Sequence, residues 1–139
     1  MGKTIYFYSA TGNSLYIAKK IARGINAKLV PLAGQKTVCD SEVIGIVYPA
    51  FDQDCDIYFS INESCVGCGL CDKICPVNNI EIVDGKPQFL HHCDHCLGCL
   101  NLCPQDAINW KDKTVGKKRY KNSHVTVKEL IDFRNKKKD

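Results

Sequence analysis

Apolar and polar positions change period several times along the chain, and each change predicts an element. Lys3 to Tyr8 is a run of β-branched and aromatic residues, as in a strand buried on both faces. Ser9 to Ser14 is a turn of small and hydroxyl residues. From there Leu15, Ala18, Ile21, Ala22 and Ile25 recur at helical spacing, opposite Lys19, Lys20 and Arg23, with Gly24 as terminator. Ala27 to Val30 predicts a second strand stopped by Pro31, and Val43 to Tyr48 a third, almost wholly apolar like a central parallel strand. Pro49 ends it, and Ala50 to Ser64 reads as a linker. Ile80 to Val83 and Pro87 to Leu90 flank Asp84-Gly85, the left-handed pair that a two-residue hairpin needs. A last helix begins with the capping box Thr126 and Glu129 and shows Val127, Leu130, Ile131 and Phe133 on one side.

The strand–turn–helix opening predicts a small parallel sheet in the order 2-1-3. Its third strand is apolar on both faces, whereas one amphipathic helix covers only one side. The cysteine-rich half, the final helix or a second copy of the chain must cover the other. The connection from Leu32 to Glu42 is short for a right-handed crossover, which usually takes a dozen or more residues. The open third strand is the expected edge for a homodimer.

Between these parts one cysteine pattern is written twice. Cys65, Cys68, Cys71 and Cys75 are followed by Pro76; Cys93, Cys96, Cys99 and Cys103 are followed by Pro104. Both read CxxCxxCxxxCP, and the second copy lies 28 residues after the first. At the same offset Ile80 corresponds to Ile108, Ile82 to Trp110 and Asp84 to Asp112. Two copies of one unit about a pseudo-twofold axis are expected.

Composition narrows the chemistry. With 45% hydrophobic and 24% charged residues in 139, the chain reads as globular, one ordinary domain or two small ones. Ten cysteines leave a disulfide scaffold, a zinc site or iron–sulfur clusters. The opening residues hold no apolar core of signal length, and no run approaches the ~18 apolar residues that span a bilayer. The expectation is a cytoplasmic protein with reduced or metal-bound thiols, and no membrane partner. The formal charge of +4 does not point to nucleic acid, because two cubanes with their thiolates, about −2 each when oxidised, bring it to roughly zero. Lys117, Lys118, Arg119 and the terminal Lys136, Lys137 and Lys138 read as solvated surface.

A [4Fe–4S] cubane needs four thiolates, and a CxxCxxC loop curls so that three reach three iron corners while the fourth comes from the other copy. On that rule Cys65, Cys68, Cys71 and Cys103 hold one cluster and Cys93, Cys96, Cys99 and Cys75 the second. Gly67, Gly69 and Gly98 let backbone approach the clusters. Zinc has no use for the third and fourth cysteines of each copy. Cys39 and Cys55 read as idle thiols, and His91, His92 and His95 as residues at the solvent edge that either modulate the potential or do nothing. The pattern resembles bacterial-type two-cluster ferredoxins from Asn62 to about Trp110. That resemblance implies a low-potential carrier of single electrons between dehydrogenases, hydrogenases and other reductases, with outer-sphere transfer and no catalytic residues.

The turn Ser9-Ala10-Thr11-Gly12-Asn13-Ser14 presents backbone N–H groups, a helix N-terminus and hydroxyls, and lacks the fingerprints of nucleotide triphosphate or dinucleotide sites. It resembles the phosphate loop of flavodoxins. The order of the two modules is similar to that of the flavodoxin–ferredoxin fusion proteins of anaerobes. By this resemblance Ser9, Thr11, Gly12, Asn13 and Ser14 would hold the phosphate of FMN, and Tyr48, Pro49, Ala50 and Phe51 would lie against its ring. Only 64 residues precede Cys65, however, and a flavodoxin needs five strands and about 140 residues. A ligand-free, fold-forming turn is the alternative. The expected fold is an α+β ferredoxin-like two-cluster domain (61–115) with a pseudo-twofold repeat. A truncated α/β flavodoxin-like element (1–60) with parallel strands precedes it, and a segment with a docking helix (116–139) follows. Beside the plain carrier stand two other readings: an FMN-containing oxidoreductase or subunit passing electrons between flavin and clusters, and an N-terminal module that docks the ferredoxin on a larger enzyme.

Overall fold

In a computed structural model, which describes residues 3–9, 11–32, 43–45 and 55–135, the strand of aromatic and β-branched residues near the start is β1, Thr4–Phe7. Ile5, Tyr6 and Phe7 are all buried, so both faces of β1 are covered. It lies at the centre of a three-stranded sheet, between β2 (Lys28–Pro31) and β3 (Val43–Gly45), and both pairings are parallel. Ile5 is in register with Leu29 on one side and Ile44 on the other. The expected extension of the third strand to Tyr48, and the connection through Glu42, lie outside the described residues.

Between β1 and β2 runs α1, Asn13–Ile25, which buries Leu15, Ala18 and Ala22. Ile21, expected on the same face, is exposed. The helix also passes through Gly24 and ends at Asn26, whose left-handed backbone (φ 53°) terminates it. Asparagine tolerates that conformation because its short side chain bonds locally.

The last helix, α4 (Val127–Asn135), begins where its capping box predicts. Glu129 N–H donates to Thr126 Oγ1 at 3.2 Å, and Thr126 N–H donates to Glu129 Oε2 at 2.8 Å. Glu129 is also paired with Lys19 of α1, which holds its carboxyl well below the usual range. Phe133 meets Phe7 of β1 edge to face, with ring centroids 5.3 Å apart. The final helix is thus a cover for the sheet. Thr126→Ala should lower stability by about 1 kcal/mol, read from the urea midpoint.

Chain contacts divide the protein into two units, Met1–Pro49 with Asn122–Asp139 and Ala50–Lys121. The division falls at 49/50 and 121/122, whereas the sequence predicts boundaries at 60/61 and 115/116. Two features explain the shift. The stretch read as a linker contains a short 3₁₀ turn, Cys55–Tyr58, and a strand β4, Phe59–Ile61. Arg119, read as solvated, buries its guanidinium instead. Its Nη2 donates to the carbonyls of Asp106 (3.3 Å) and Ile108 (3.1 Å) and to Asn109 Oδ1 (2.8 Å). Tyr120 N–H adds a bond to Asn101 Oδ1 at 2.9 Å.

Within the second unit the order is β4, α2 (Leu70–Ile74), β5 (Ile80–Val83), β6 (Lys86–Phe89), α3 (Gly98–Leu102) and β7 (Ile108–Trp110). The two short helices stand 28 residues apart. Antiparallel pairing joins the first strand of one repeat to the second strand of the other, β4 to β7 and β5 to β6. Ile61 faces Ile108 and Ile80 faces Phe89, two pairs that exchange under the 28-residue shift. The same exchange relates Asn62 N–H to Ala107 O and Leu90 N–H to Asn79 O, both 2.9 Å. That is a pseudo-twofold axis. Asp84 (φ 48°) and Gly85 (φ 75°) form the left-handed hairpin turn between β5 and β6.

Candidate metal centres

Each CxxCxxC loop reaches its helix through two left-handed residues. Gly67 (φ 67°) and Gly69 (φ 69°) precede α2, while His95 (φ 49°) and Leu97 (φ 57°) stand at the matching positions before α3. The backbone curl is therefore required in both copies, and glycine is required in only one place. A Cβ on Gly67 would lie 2.6 Å from Gly85 O, whereas one on Gly69 would meet nothing nearer than Ile82 Cγ1 at 3.8 Å. Gly67→Ala should therefore cost about 1–3 kcal/mol and Gly69→Ala distinctly less, compared by anaerobic urea unfolding.

Cys65, Cys68, Cys71 and Cys103 line one pocket, together with apolar groups that include Val66, Ile82, Pro87 and Ile108. Three thiols of the first copy and the last thiol of the second thus face one space. The other four are also neighbours. Burial pushes the Cys99 thiol well above its ordinary pKa, and the charges of Cys96, Cys93, Cys75 and Cys71 push the same way. Burial likewise raises Cys93 to about 12 and Cys71 to about 11, with Cys68 and Cys103 adding to the rise at Cys71. Gathering so many sulfurs disfavours thiolates unless a bound cation compensates.

Backbone N–H groups point at these sulfurs. Asn79 N–H donates to Cys75 Sγ at 3.2 Å and Ala107 N–H to Cys103 Sγ at 3.4 Å, again 28 residues apart. His95 N–H donates to Cys93 Sγ at 3.3 Å. Around the thiols closes a core of Cys75, Ile80, Cys99, Leu100 and Ile108, flanked by Phe59, Ile61, Phe89 and Trp110. Among the described residues no group of three or more histidine, cysteine or carboxylate side chains could hold a single metal ion. A cubane asks for something else: four sulfurs spread about a dry space, with amide donors behind them. The donor set, the cavity and the N–H···S bonds fit it.

The remaining cysteines and histidines separate in space. Cys39 lies outside the described residues. Cys55 is buried, its Sγ donating to Cys93 O at 3.5 Å, and burial raises its pKa. The ring nitrogens of His92 lie 3.1 Å from the carbonyl oxygens of Leu90 and Val77. His95 lies 5.1 Å from the Trp110 ring, and burial lowers its pKa. Sequence reasoning missed Asp56 and Asn79, two buried polar residues joined at 2.8 Å beside Cys75. No local pattern marks them, because they meet only through folding.

The Ser9–Ser14 turn leads into α1 at Gly12, left-handed at φ 95°. Ser9 Oγ is buried and has no hydrogen-bond partner among the described residues. The Gly12 side, however, is filled by the chain itself. A Cβ there would lie 2.9 Å from Val125 Cβ, Asn122 Nδ2 donates to Asn13 Oδ1 at 2.9 Å, and His124 stacks on Tyr16 at 4.6 Å. The space that a side chain on Gly12 would take, and the Asn13 amide, are thus occupied by residues 122–125. Tyr48, Pro49, Ala50 and Phe51, expected at the flavin ring, lie outside the described residues.

Two CxxCxxCxxxCP copies on a pseudo-twofold α+β scaffold define a ferredoxin-type iron–sulfur module. Residues 64–108 match the family model described as a 4Fe-4S dicluster domain, and the chain carries a 4Fe-4S dicluster ferredoxin domain. It is 38% identical over 56 residues to the polyferredoxin protein MvhB of Methanothermus fervidus, covering 38% of this chain and 13% of that one. To a subunit of the ion-translocating oxidoreductase complex of Methanosarcina acetivorans it is 30% identical over 70 residues, covering 50% and 26%. With a subunit of the NADH-quinone oxidoreductase of Helicobacter hepaticus it shares 47% over 38 residues, covering 24% and 18%. The chain thus spans about an eighth to a quarter of the length of the curated relatives it matches. No solved structure matches it. The flavodoxin–ferredoxin fusion implied by the order of the modules finds no support in these comparisons.

Proposed function

We propose that the protein is a low-potential electron carrier with two [4Fe–4S] clusters, exchanging single electrons with redox proteins of the reductase, dehydrogenase or hydrogenase type in the cytoplasm. Cys65, Cys68, Cys71 and Cys103 hold one cluster; Cys75, Cys93, Cys96 and Cys99 hold the other. The observation that carries this reading is the single cavity lined by Cys65, Cys68, Cys71 and, from the other repeat, Cys103. When bound, each cluster supplies one reversible electron. The chain does the rest: eight thiols fix position, and amides such as those of Asn79 and Ala107 offset negative charge on sulfur. Ile80, Leu100 and Ile108 keep water out. Anaerobic reductive titration followed by visible absorption and electron paramagnetic resonance should take up about two electrons per chain. Uptake of one or none would overturn it.

A second reading places FMN at Ser9, Thr11, Gly12, Asn13 and Ser14, favoured by the unpartnered Ser9 hydroxyl. On that reading the protein is an oxidoreductase or subunit that passes electrons between flavin and clusters. Heat release of the anaerobic protein separates the readings: flavin fluorescence at one equivalent per chain supports FMN, and its absence leaves the plain carrier. Because β3 is an outer strand, a homodimer through that edge is a further part of the proposal, read by light scattering.

A further inference from the structure

The two halves of the cysteine repeat differ in one buried polar network. Asp56, in the turn before β4, is 2% exposed and its side chain is fully enclosed. Burying a carboxylate this deeply is costly unless its oxygens are bonded. Asn79 Nδ2 donates to its Oδ2 at 2.8 Å, His91 N–H donates to the same oxygen at 3.0 Å, and His91 Nδ1 lies 3.1 Å from Oδ1. Asn79, 1% exposed, accepts His92 N–H on Oδ1 at 2.7 Å and sends its own N–H to Cys75 Sγ. One carboxylate thus braces the approach to Cys93 through residues 91 and 92 and the surroundings of Cys75 through Asn79.

The other half has no counterpart. The residue 28 positions after Asn79 is Ala107, which keeps the N–H···S bond to Cys103 but has no amide side chain. The residue 28 positions after Asp56 is Asp84, exposed in the hairpin turn. The repeat therefore places the same two residue positions around each set of four cysteines and, among the described residues, buries an anion beside only one.

Resting on the two-cluster reading above, we propose that Asp56 is a positioning residue and fixed anion that sets the cluster held by Cys75, Cys93, Cys96 and Cys99 apart as the harder one to reduce. Reduction adds negative charge, and a carboxylate held out of water opposes that addition more than one in solvent does. Asn79 adds a mechanical part, since its amide is locked between Asp56 and His92 while its N–H serves Cys75. Electrons then rest on the cluster held by Cys65, Cys68, Cys71 and Cys103, which becomes the site that exchanges with partners.

The test is an anaerobic redox titration of the loaded, full-length chain by electron paramagnetic resonance. All variants are titrated at one fixed pH. The wild type should show two separate potentials. Asp56→Asn should favour reduction at the lower one about tenfold, which is ~59 mV for one electron, and leave the upper one in place. Asp56→Glu and Asp84→Asn should move neither. Coincident potentials in the wild type, or an Asp56→Asn change that moves both or neither, would overturn the proposal. If Asp56→Asn does not load, Asn79→Ala decides, because alanine is what the other repeat carries at that position. Four of about eight irons should then leave to a chelator about tenfold faster, and uniform or unchanged release counts against Asp56. Wild-type protein holding fewer than about eight irons would instead contradict the two-cluster reading itself.

Discussion

Cys103→Ala should cut the iron content from about eight to about four per chain, and the iron lost should be that held by Cys65, Cys68 and Cys71. Cys103 belongs by sequence to the second repeat, yet it lines the cavity of the first three cysteines. Ligands that stayed within their own repeat would give the opposite pattern, with the second copy's iron lost and the first intact. Pairing the variant with Cys75→Ala makes the result specific. Cys75 is a neighbour of Cys99, so that substitution should empty the other site. Selective loss can be followed because the surviving cluster keeps its own resonance signal. Loss of all iron in both variants would mean that neither cluster assembles without the other, and the spectra of partly loaded protein would show it.

Ile108→Ala should cost about 2–5 kcal/mol in anaerobic urea unfolding, the largest effect expected of any apolar substitution in this unit. Ile108 is 2% exposed, pairs across β4–β7 with Ile61, and faces both the core and the pocket of Cys65, Cys68, Cys71 and Cys103. Removing three carbons opens a void against sulfur, where water can enter. The clusters should therefore bleach faster in air as well as the fold weakening. Ile57 is a contrast, since it stands 59% exposed on the turn before β4. Ile57→Ala should change the urea midpoint little, because its side chain is already in water in the folded state.

What the sequence shows of this protein is its local chemistry. The cysteine spacing repeats at a fixed offset, Asp84-Gly85 supplies the turn its conformation demands, and Thr126 with Glu129 writes its own helix start. Each of these signals is complete within a few residues. The features that escape it depend on partners far away. β4 is three residues long, and Phe59 becomes a strand residue only by pairing with Trp110. Arg119 sits in a basic run that looks solvated, and the carbonyls of Asp106 and Ile108 with the Asn109 side chain draw it inward. Asp56 and Asn79 carry no local signal of burial. The Gly12 turn illustrates the converse. Its local pattern suits a phosphate, but Val125 and Asn122 arrive from over a hundred residues away to pack on it. Gly24 is a smaller case, in which a favoured helix stop is passed because Asn26 offers the left-handed exit.

Two [4Fe–4S] clusters on one chain set a fixed stoichiometry of iron and sulfide. Iron and acid-labile sulfide, measured together on anaerobically purified full-length protein, test it most directly. About eight of each per chain is the predicted result, and a reproducible limit of about four of each, or zinc in place of iron, would contradict it.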